Sequence, residues 1–405
     1  MDKIKRELEL LAPAGNFEKL KTALYFGADA VYLGGKDFSL RSFSDNFTQD
    51  EMKNGVALAH EKGKKVFVTA NIFAKNSDFS ALSDYFKFLY EIGVDAVLIT
   101  DAGVLSLAKS VAPNLKIHLS TQANTTNKYS AKFWYEQGVE RVVLARELSI
   151  AEISEIRDFC PQLQLEAFVH GAMCISYSGR CLISNYLAGR DSNRGECVQA
   201  CRWNYQVSAN GKDYHPVEED EKGTYIFNSK DLNLINQLKE LINAGVDSFK
   251  IEGRMKSSYY LATVVNAYRR AIDKLQGKNS DFTDEEIYTE LKKCAHRDFT
   301  TAYALGENSQ TVNYNDSQTK GSCEYIANVL ETNDSFSIVE MRNRFKIGDT
   351  LEILSPSNNC NKKFILQEMY DEKGCAVQDA KLVQQRLKIT SPYKLSEGDI
   401  LRRPQ

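Results

Sequence analysis

Four times in its first 255 residues the chain repeats one phrase: GADAVYLGG from Gly27, GVDAVLITD from Gly93, GVERVVLAR from Gly138 and GVDSFKIEG from Gly245. Each is a glycine, an acid two residues on and a short apolar run, preceded by a helical pattern such as FEKLKTALYF or DLNLINQLKELINA. Such a phrase describes a helix capped by glycine and followed by a strand that is apolar on both faces, as strands inside a parallel sheet must be. Similar strands occur in LELLAPA from Leu8, KVFVTANIF from Lys65, KIHLSTQAN from Lys116 and QLEAFVHGA from Gln164, which brings the count to eight. Eight βα strands predict an α/β chain closed into a TIM-like (β/α)8 barrel. A doubly wound open sheet competes, but it asks for a glycine-rich phosphate turn after the first strand. LAPAGN is a weak substitute, and neither G-x-G-x-x-G nor a Walker loop occurs.

The expected organisation is a barrel over 1–275 with a cysteine-rich insertion at about 171–224, a helical linker over 276–322 and a small C-terminal β-barrel domain over 323–405. Within the insertion, WNYQVSANGKDYHPV reads as a hairpin turned at Asn210 and Gly211, and TYIFN from Thr224 as a further strand. Beyond Met255 a helix starting near Ser257, the polar joint GKNSDFTDEE and the helical run EEIYTELKKCAH lead into strand-like segments after Glu324. A domain of that kind packs, forms dimer contacts, or grips RNA or peptide. Its basic residues Lys362, Lys363, Arg386, Lys388, Arg402 and Arg403 are too dispersed to mark a surface.

The N-terminus, MDKIKRELELLAPAG, is charged through its first nine residues and has no apolar signal region, and no later stretch approaches a membrane span, so a cytoplasmic protein without membrane contact is expected. A net charge of -3 neither demands nor excludes a nucleic-acid partner, because local patches rather than totals steer RNA.

In a barrel of this type the chemistry gathers where the strands end. The polar residues at those positions are Asn71, Asp101, Thr121, Gln122, Asn124, Arg146, Glu147, Glu166, His170, Glu252 and Arg254. Arg146 and Arg254 can serve as forks for carboxylate or phosphate, and Glu147, Glu166 and Glu252 can handle protons. Just beyond the seventh strand stand Cys174, Cys181, Cys197 and Cys201, separated by six, fifteen and three residues. Four thiols so close, in a reducing compartment, read as a metal or iron-sulfur site rather than as disulfides. The spacing matches neither a zinc ribbon nor a bacterial ferredoxin run. Gly171, Gly179, Gly189 and Gly195 would let backbone approach such a group. Cys160, Cys294, Cys323, Cys360 and Cys375 are scattered and read as small buried apolar residues.

The segment EAFVHGAMCISYSGRCLIS from Glu166 to Ser184 resembles the signature of the collagenase-like peptidase family U-thirty-two, and LLAPAGN, GADAVYLGG, VTANI, LSTQANTTN, FKIEGRMKS and HRDFTTAYALG resemble its recurring phrases. The resemblance spans nearly the whole chain and is strongest to the branch of tRNA hydroxylation proteins. It implies a 4Fe-4S cluster, with zinc as the alternative, held by Cys174, Cys181, Cys197 and Cys201. It also implies oxygen-independent conversion of a tRNA wobble uridine to 5-hydroxyuridine, with prephenate as a possible co-substrate. Taken with position in the barrel, it makes Glu166, His170 and Glu252 the candidate catalytic groups and Asn71, Gln122, Arg146 and Arg254 the candidate substrate-binding ones. The two arginines suit the dicarboxylate. Expected partners are tRNA, that small dicarboxylate, and a paralogous subunit or a second copy of the chain. Lys250, Arg254, Lys256, Tyr259 and Tyr260 form a basic and aromatic group suited to RNA. The alternatives are proteolysis, for which only a Cys174–His170 dyad offers itself, and a noncatalytic iron-sulfur or zinc accessory role.

Overall fold

The computed structural model describes residues 7–39, 46–203, 219–220, 223–224, 229–278, 281–306 and 321–405. It divides into two compact units, one of Met1–Leu20, Ala28–Met255 and Arg297–Thr319, the other of Lys21–Gly27, Lys256–His296 and Lys320–Gln405.

In the first unit, β1 (Glu9–Pro13), β2 (Ala30–Gly34), β3 (Lys65–Thr69), β4 (Ala96–Ile99), β5 (Ile117–Leu119), β6 (Arg141–Val143), β7 (Gln164–Ala172) and β8 (Ser248–Ile251) pair in parallel in that order. β8 pairs with both β7 and β1, which closes the barrel. All eight strands read from the sequence are present. The repeated phrase has a structural reason in two parts. Its glycines, Gly27, Gly93, Gly138 and Gly245, take φ of 101°, 79°, 79° and 94°, where a side chain would be strained. Its aspartates reach sideways to the preceding strand of the barrel. Asp29, Asp95 and Asp247 accept the backbone N–H groups of Leu10, Val66 and Leu165 at 3.0, 2.8 and 2.8 Å. Glu140, the acid of the remaining copy, pairs instead with Lys116 at 3.3 Å. The phrase is therefore a register clamp at the N-terminal end of the barrel. At the opposite end the helices start on their own caps: Asp101 accepts from Val104 N–H, and Ser149 with Glu152 forms a capping box.

The lower barrel interior is ionic. Arg141 bonds Glu9 and Glu166, Lys250 bonds Glu166 at 2.8 Å, and Ser248 donates to Glu9 at 3.0 Å. Beyond β7 the chain enters the insertion and returns through the short strand Asp231–Asn233, antiparallel to Ala172, Gly171 and His170 and parallel to Phe299–Thr300. Arg297 pairs with Asp231 at 3.4 Å, so HRDFTTAYALG belongs to the barrel unit from Arg297 onward, with His296 in the second unit. The hairpin turn expected at Asn210 and Gly211 lies outside the described residues, and Thr224 lies in a two-residue strand, Gly223–Thr224, paired with Glu219–Asp220.

The second unit contains the helices Ser258–Leu275 and Asp284–Leu291 and an antiparallel sheet. In spatial order its strands are Lys363–Ile365, Thr350–Leu354, Ile400–Pro404, Cys323–Thr332, Ser337–Met341, Arg386–Ile389 and Met369–Tyr370. Ile326, Val339, Leu351, Ile353, Leu387 and Leu401 form its core. Arg402, one of the dispersed basic residues named above, is fully buried and bonds Glu290 and Glu352, so it ties helix to sheet. Cys375 departs from the expected burial and is exposed. Among the described residues no helix is long and apolar enough to cross a membrane.

Candidate functional site

At the C-terminal end of the barrel lies a cavity of about 160 Å³. Every strand of the barrel except β1 contributes to it, directly or through the loop that follows: Tyr32 from β2, Thr69 and Asn71 at β3, Leu98 from β4, Ser120 to Gln122 after β5, Arg146 and Glu147 after β6, Phe168 from β7 and Lys250, Glu252 and Arg254 at β8. The insertion closes the remaining side with Met173 to Gly179, Cys181, Ser192, Asn193, Cys197 and Cys201.

The four clustered cysteines therefore share one cavity with Asn71, Gln122, Arg146, Glu252 and Arg254, although up to 183 positions of sequence separate them. Cys174 and Cys197 are exposed, and Cys181 and Cys201 are half-buried. Burial, with the three neighbouring thiols adding to it, pushes the Cys201 thiol up to about 11. The Sγ of Cys197 accepts from the Gln199 N–H at 3.4 Å and from the Ser184 hydroxyl at 3.9 Å. Among the described residues no group of three or more His, Cys, Asp or Glu side chains is arranged to hold a metal ion, so the thiols line the cavity without closing on one point.

The cysteine loop is fixed by its own polar contacts. Ser192 Oγ and Asn193 Nδ2 donate to the Cys181 carbonyl at 2.9 and 3.1 Å. Arg194 pairs with Asp78 beyond β3, and that hydrogen bond holds the Asp78 carboxyl below the usual range. Gly179, at φ 74°, packs so closely that a Cβ there would stand 2.5 Å from the Gln122 carbonyl oxygen.

Among the residues that line this cavity, Asn71 Oδ1, Arg146 Nε and Glu147 Oε2 are buried atoms with no hydrogen-bond partner among the described residues. Asn71 spends its Nδ2 on Ser120 Oγ at 3.0 Å. Arg146 donates Nη1–H to the Ala172 carbonyl at 2.7 Å and lies 3.9 Å over the Phe168 ring. Burial raises the Glu147 carboxyl above its ordinary range, against the Ser178 N–H that it accepts. Position at a strand end had marked Glu147 in the sequence, but nothing there distinguished it from its neighbours.

Other expected residues sit differently. Glu166 does not line the cavity; it lies fully buried beneath it. Burial alone would raise its carboxyl, but Lys250 and Arg141 outweigh that and hold it below the usual range, so it stays ionised. His170 is buried, does not line the cavity and meets Phe299 edge-on with ring centroids 5.6 Å apart. A dyad with Cys174 draws no support from this placement. Glu252 lines the cavity and accepts from the Tyr32 hydroxyl at 3.4 Å. Arg254 lines it too, with Thr69 at 3.2 Å, Ser39 at 2.7 Å and Asn46 at 3.1 Å around its guanidinium. Asp101 caps its helix, and neither it nor Asn124 lines the cavity.

Of the residues grouped for RNA, Lys250, Arg254, Tyr259 and Tyr260 are all buried, which removes them as an exposed platform. Lys250 instead forms part of the cavity wall with its ammonium 4.5 Å from the Tyr32 ring. The aromatic members of the lining, Tyr32, Phe168 and Tyr177, were not singled out from sequence, because an aromatic residue inside a strand or a glycine-rich loop reads first as packing.

A family model described as Peptidase family U32 matches residues 15–314, and one described as Peptidase family U32 C-terminal domain matches residues 322–402. The chain is 40% identical to tRNA hydroxylation protein P1 of Bacillus subtilis, covering 99% of this chain and 96% of that relative. It is 36% identical to tRNA hydroxylation protein P of Escherichia coli, covering 91% and 90%. It is also 36% identical to a 23S rRNA 5-hydroxycytidine synthase of Escherichia coli, over 72% of this chain and 44% of that relative.

Proposed function

The chain belongs to peptidase family U32, and from that premise we propose that it is an enzyme component that hydroxylates a pyrimidine of tRNA, the wobble uridine giving 5-hydroxyuridine. The observation that carries this reading is the meeting of four thiols with a polar cavity at the catalytic end of the barrel, in a chain whose relatives are named for RNA hydroxylation.

The residues present fit a 4Fe-4S cluster. Cys174, Cys181, Cys197 and Cys201 supply the donor set, and the N–H and O–H groups directed at Cys197 Sγ are the kind that tune cluster sulfurs. Held through all four thiolates, such a cluster would supply electron transfer. The protein's own part is to bind, orient and manage protons. Replacing C5–H by C5–OH is a two-electron oxidation, so the co-substrate that donates the oxygen must also take up the electron pair, while the C5 proton passes to a base for which Glu252 is the candidate within the cavity. Arg146 and Arg254, both in the lining, are the candidate forks for a dicarboxylate such as prephenate.

The test is nucleoside mass spectrometry of tRNA from a strain lacking the protein, grown without oxygen and complemented with wild type or Cys174→Ala. Loss of 5-hydroxyuridine derivatives that wild type restores and the variant does not is the expected result; unchanged levels in the deletion strain would overturn the reading. Iron and acid-labile sulfide in the purified protein, both absent from the variant, are expected in parallel.

A further inference from the structure

We propose that a two-stranded ribbon in the second unit, carrying Arg344, Lys346 and Lys381, is a surface that holds the phosphate backbone of RNA. This rests on the RNA reading above and adds which residues grip the strand irrespective of its sequence.

The short strands Phe345–Lys346 and Asp379–Ala380 pair antiparallel, Phe345 opposite Ala380 and Lys346 opposite Asp379. Successive side chains of a strand point to opposite faces. Phe345 and Ala380 are buried, so Arg344, Lys346, Asp379 and Lys381 share the outer face, and the same register sets Arg344 opposite Lys381. Like charges directly opposite each other weaken a ribbon. A single carboxylate stands between them: Asp379 accepts from Arg344 Nε at 3.0 Å and Nη2 at 2.5 Å, and lies 3.5 Å from Lys381 Nζ. The face thus sets three cations against one acid, on a chain whose net charge is -3. The side chains of Arg344 and Lys381 are 69% and 64% exposed, and Lys346 is exposed too.

Beyond Lys381 the chain turns back. The Gln385 side chain accepts from the N–H groups of Lys381 and Leu382 at 3.3 Å each, which fixes the turn. Its apex carries Leu382 at 67% and Val383 at 88% exposure, and Arg386 on the return is exposed.

This chemistry selects the partner. Cations spread along one face suit an anionic polymer, where a small anion needs one fork, and Arg and Lys meet phosphate oxygens without reading bases. Exposed apolar side chains beside such cations are the kind that nucleic-acid binders press between base steps. Two of them are few for a membrane, where binding grows with the apolar area of a whole helix face.

The experiment measures binding of the purified full-length protein to a tRNA transcript and to an unrelated RNA hairpin across salt concentration. The triple variant Arg344→Ala, Lys346→Ala, Lys381→Ala is expected to bind both RNAs about tenfold more weakly, and the slope of log affinity against log salt to fall by about one per cation removed. Leu382→Ser with Val383→Ser should weaken binding at an unchanged slope. Arg344→Lys, Lys346→Arg, Lys381→Arg keeps the charge and should keep the slope. Lys87→Ala, Lys128→Ala, Lys132→Ala removes as much charge from exposed lysines of the barrel unit and should also leave the slope unchanged. All four variants should unfold near the wild-type temperature, because exposed ion pairs contribute little. Equal binding by wild type and the first variant, or an equal fall in the barrel variant, would overturn the assignment and leave the RNA reading standing. Binding to vesicles of anionic phospholipid that the first variant abolishes, with RNA binding untouched, would give the surface to a membrane instead. Normal 5-hydroxyuridine in the deletion strain would remove the RNA reading itself.

Discussion

The lower interior of the barrel and the cavity above it are built from the same kinds of side chain and solve opposite problems. Below, Glu9, Arg141, Glu166 and Lys250 answer one another in a closed set of ion pairs. Above, Asn71, Arg146 and Glu147 each keep a buried atom that no described residue answers. Burial alone therefore does not say whether a polar group is partnered. Glu166 illustrates the point. Its place in the family signature makes it a candidate for proton transfer, yet two cations hold it ionised beneath the cavity rather than within it.

The largest effect should come from breaking the closed set. Arg141→Met removes one partner of two buried carboxylates, and unfolding in urea should show a loss of roughly 3–5 kcal/mol. A small change would mean that Lys250 and Lys65 suffice, and the contrast between floor and mouth would weaken.

The same set carries a pH signature. Because the folded Glu166 carboxyl lies below its unfolded value, its contribution is fully present above about pH 4.5 and is lost as pH falls from there through the folded value. Wild type should therefore lose stability on acidification across that window, and Glu166→Gln should start lower and show a shallower acid slope.

Gly179→Ala tests the mouth. The added methyl meets the Gln122 carbonyl in a left-handed backbone position, and a cost of about 1–3 kcal/mol is expected; on the cluster proposed above, iron content should fall disproportionately because the loop between Cys174 and Cys181 must lift. Asp101→Ala should have the smallest effect: it removes a helix cap worth about 1 kcal/mol from a residue that stands at a strand end but not in the cavity. Thermal unfolding should register the loss while tRNA hydroxylation in the complemented strain stays at the wild-type level.

The repeated phrase carried the barrel because its acid and glycine are local devices. The glycine ends one helix, and the aspartate reaches only to the strand before its own, so short-range pattern and three-dimensional role coincide. Cys174 and Cys181 were legible for a similar reason, since they stand a few residues apart on one loop. Residues chosen only for closing a strand fared unevenly. Asn71, Gln122, Arg146, Glu252 and Arg254 line the cavity, while Asp101 became a cap and Asn124 lies off the lining. The basic and aromatic run after β8 looked exposed because charge suggests solvent, yet Lys250 is held inside by Glu166 and Arg254 by Thr69 and Ser39. In the C-terminal part, nothing near Arg402 in the sequence announces Glu290, which lies 112 positions away.

By itself, then, the sequence determined the eight strands, their parallel order, the thiols and the neighbourhood in which chemistry belongs, because periodicity, caps and clustered ligands act over a few residues. Which charges are spent on one another and which polar atoms are left unpartnered was decided only by the closed barrel. Ring closure sets β8 beside β1 and β7, brings Glu9 to Arg141 and places Asn71 and Glu147 in the lining of one cavity, and hydrogen bonding at such separations depends on ångströms that no spacing along the chain records.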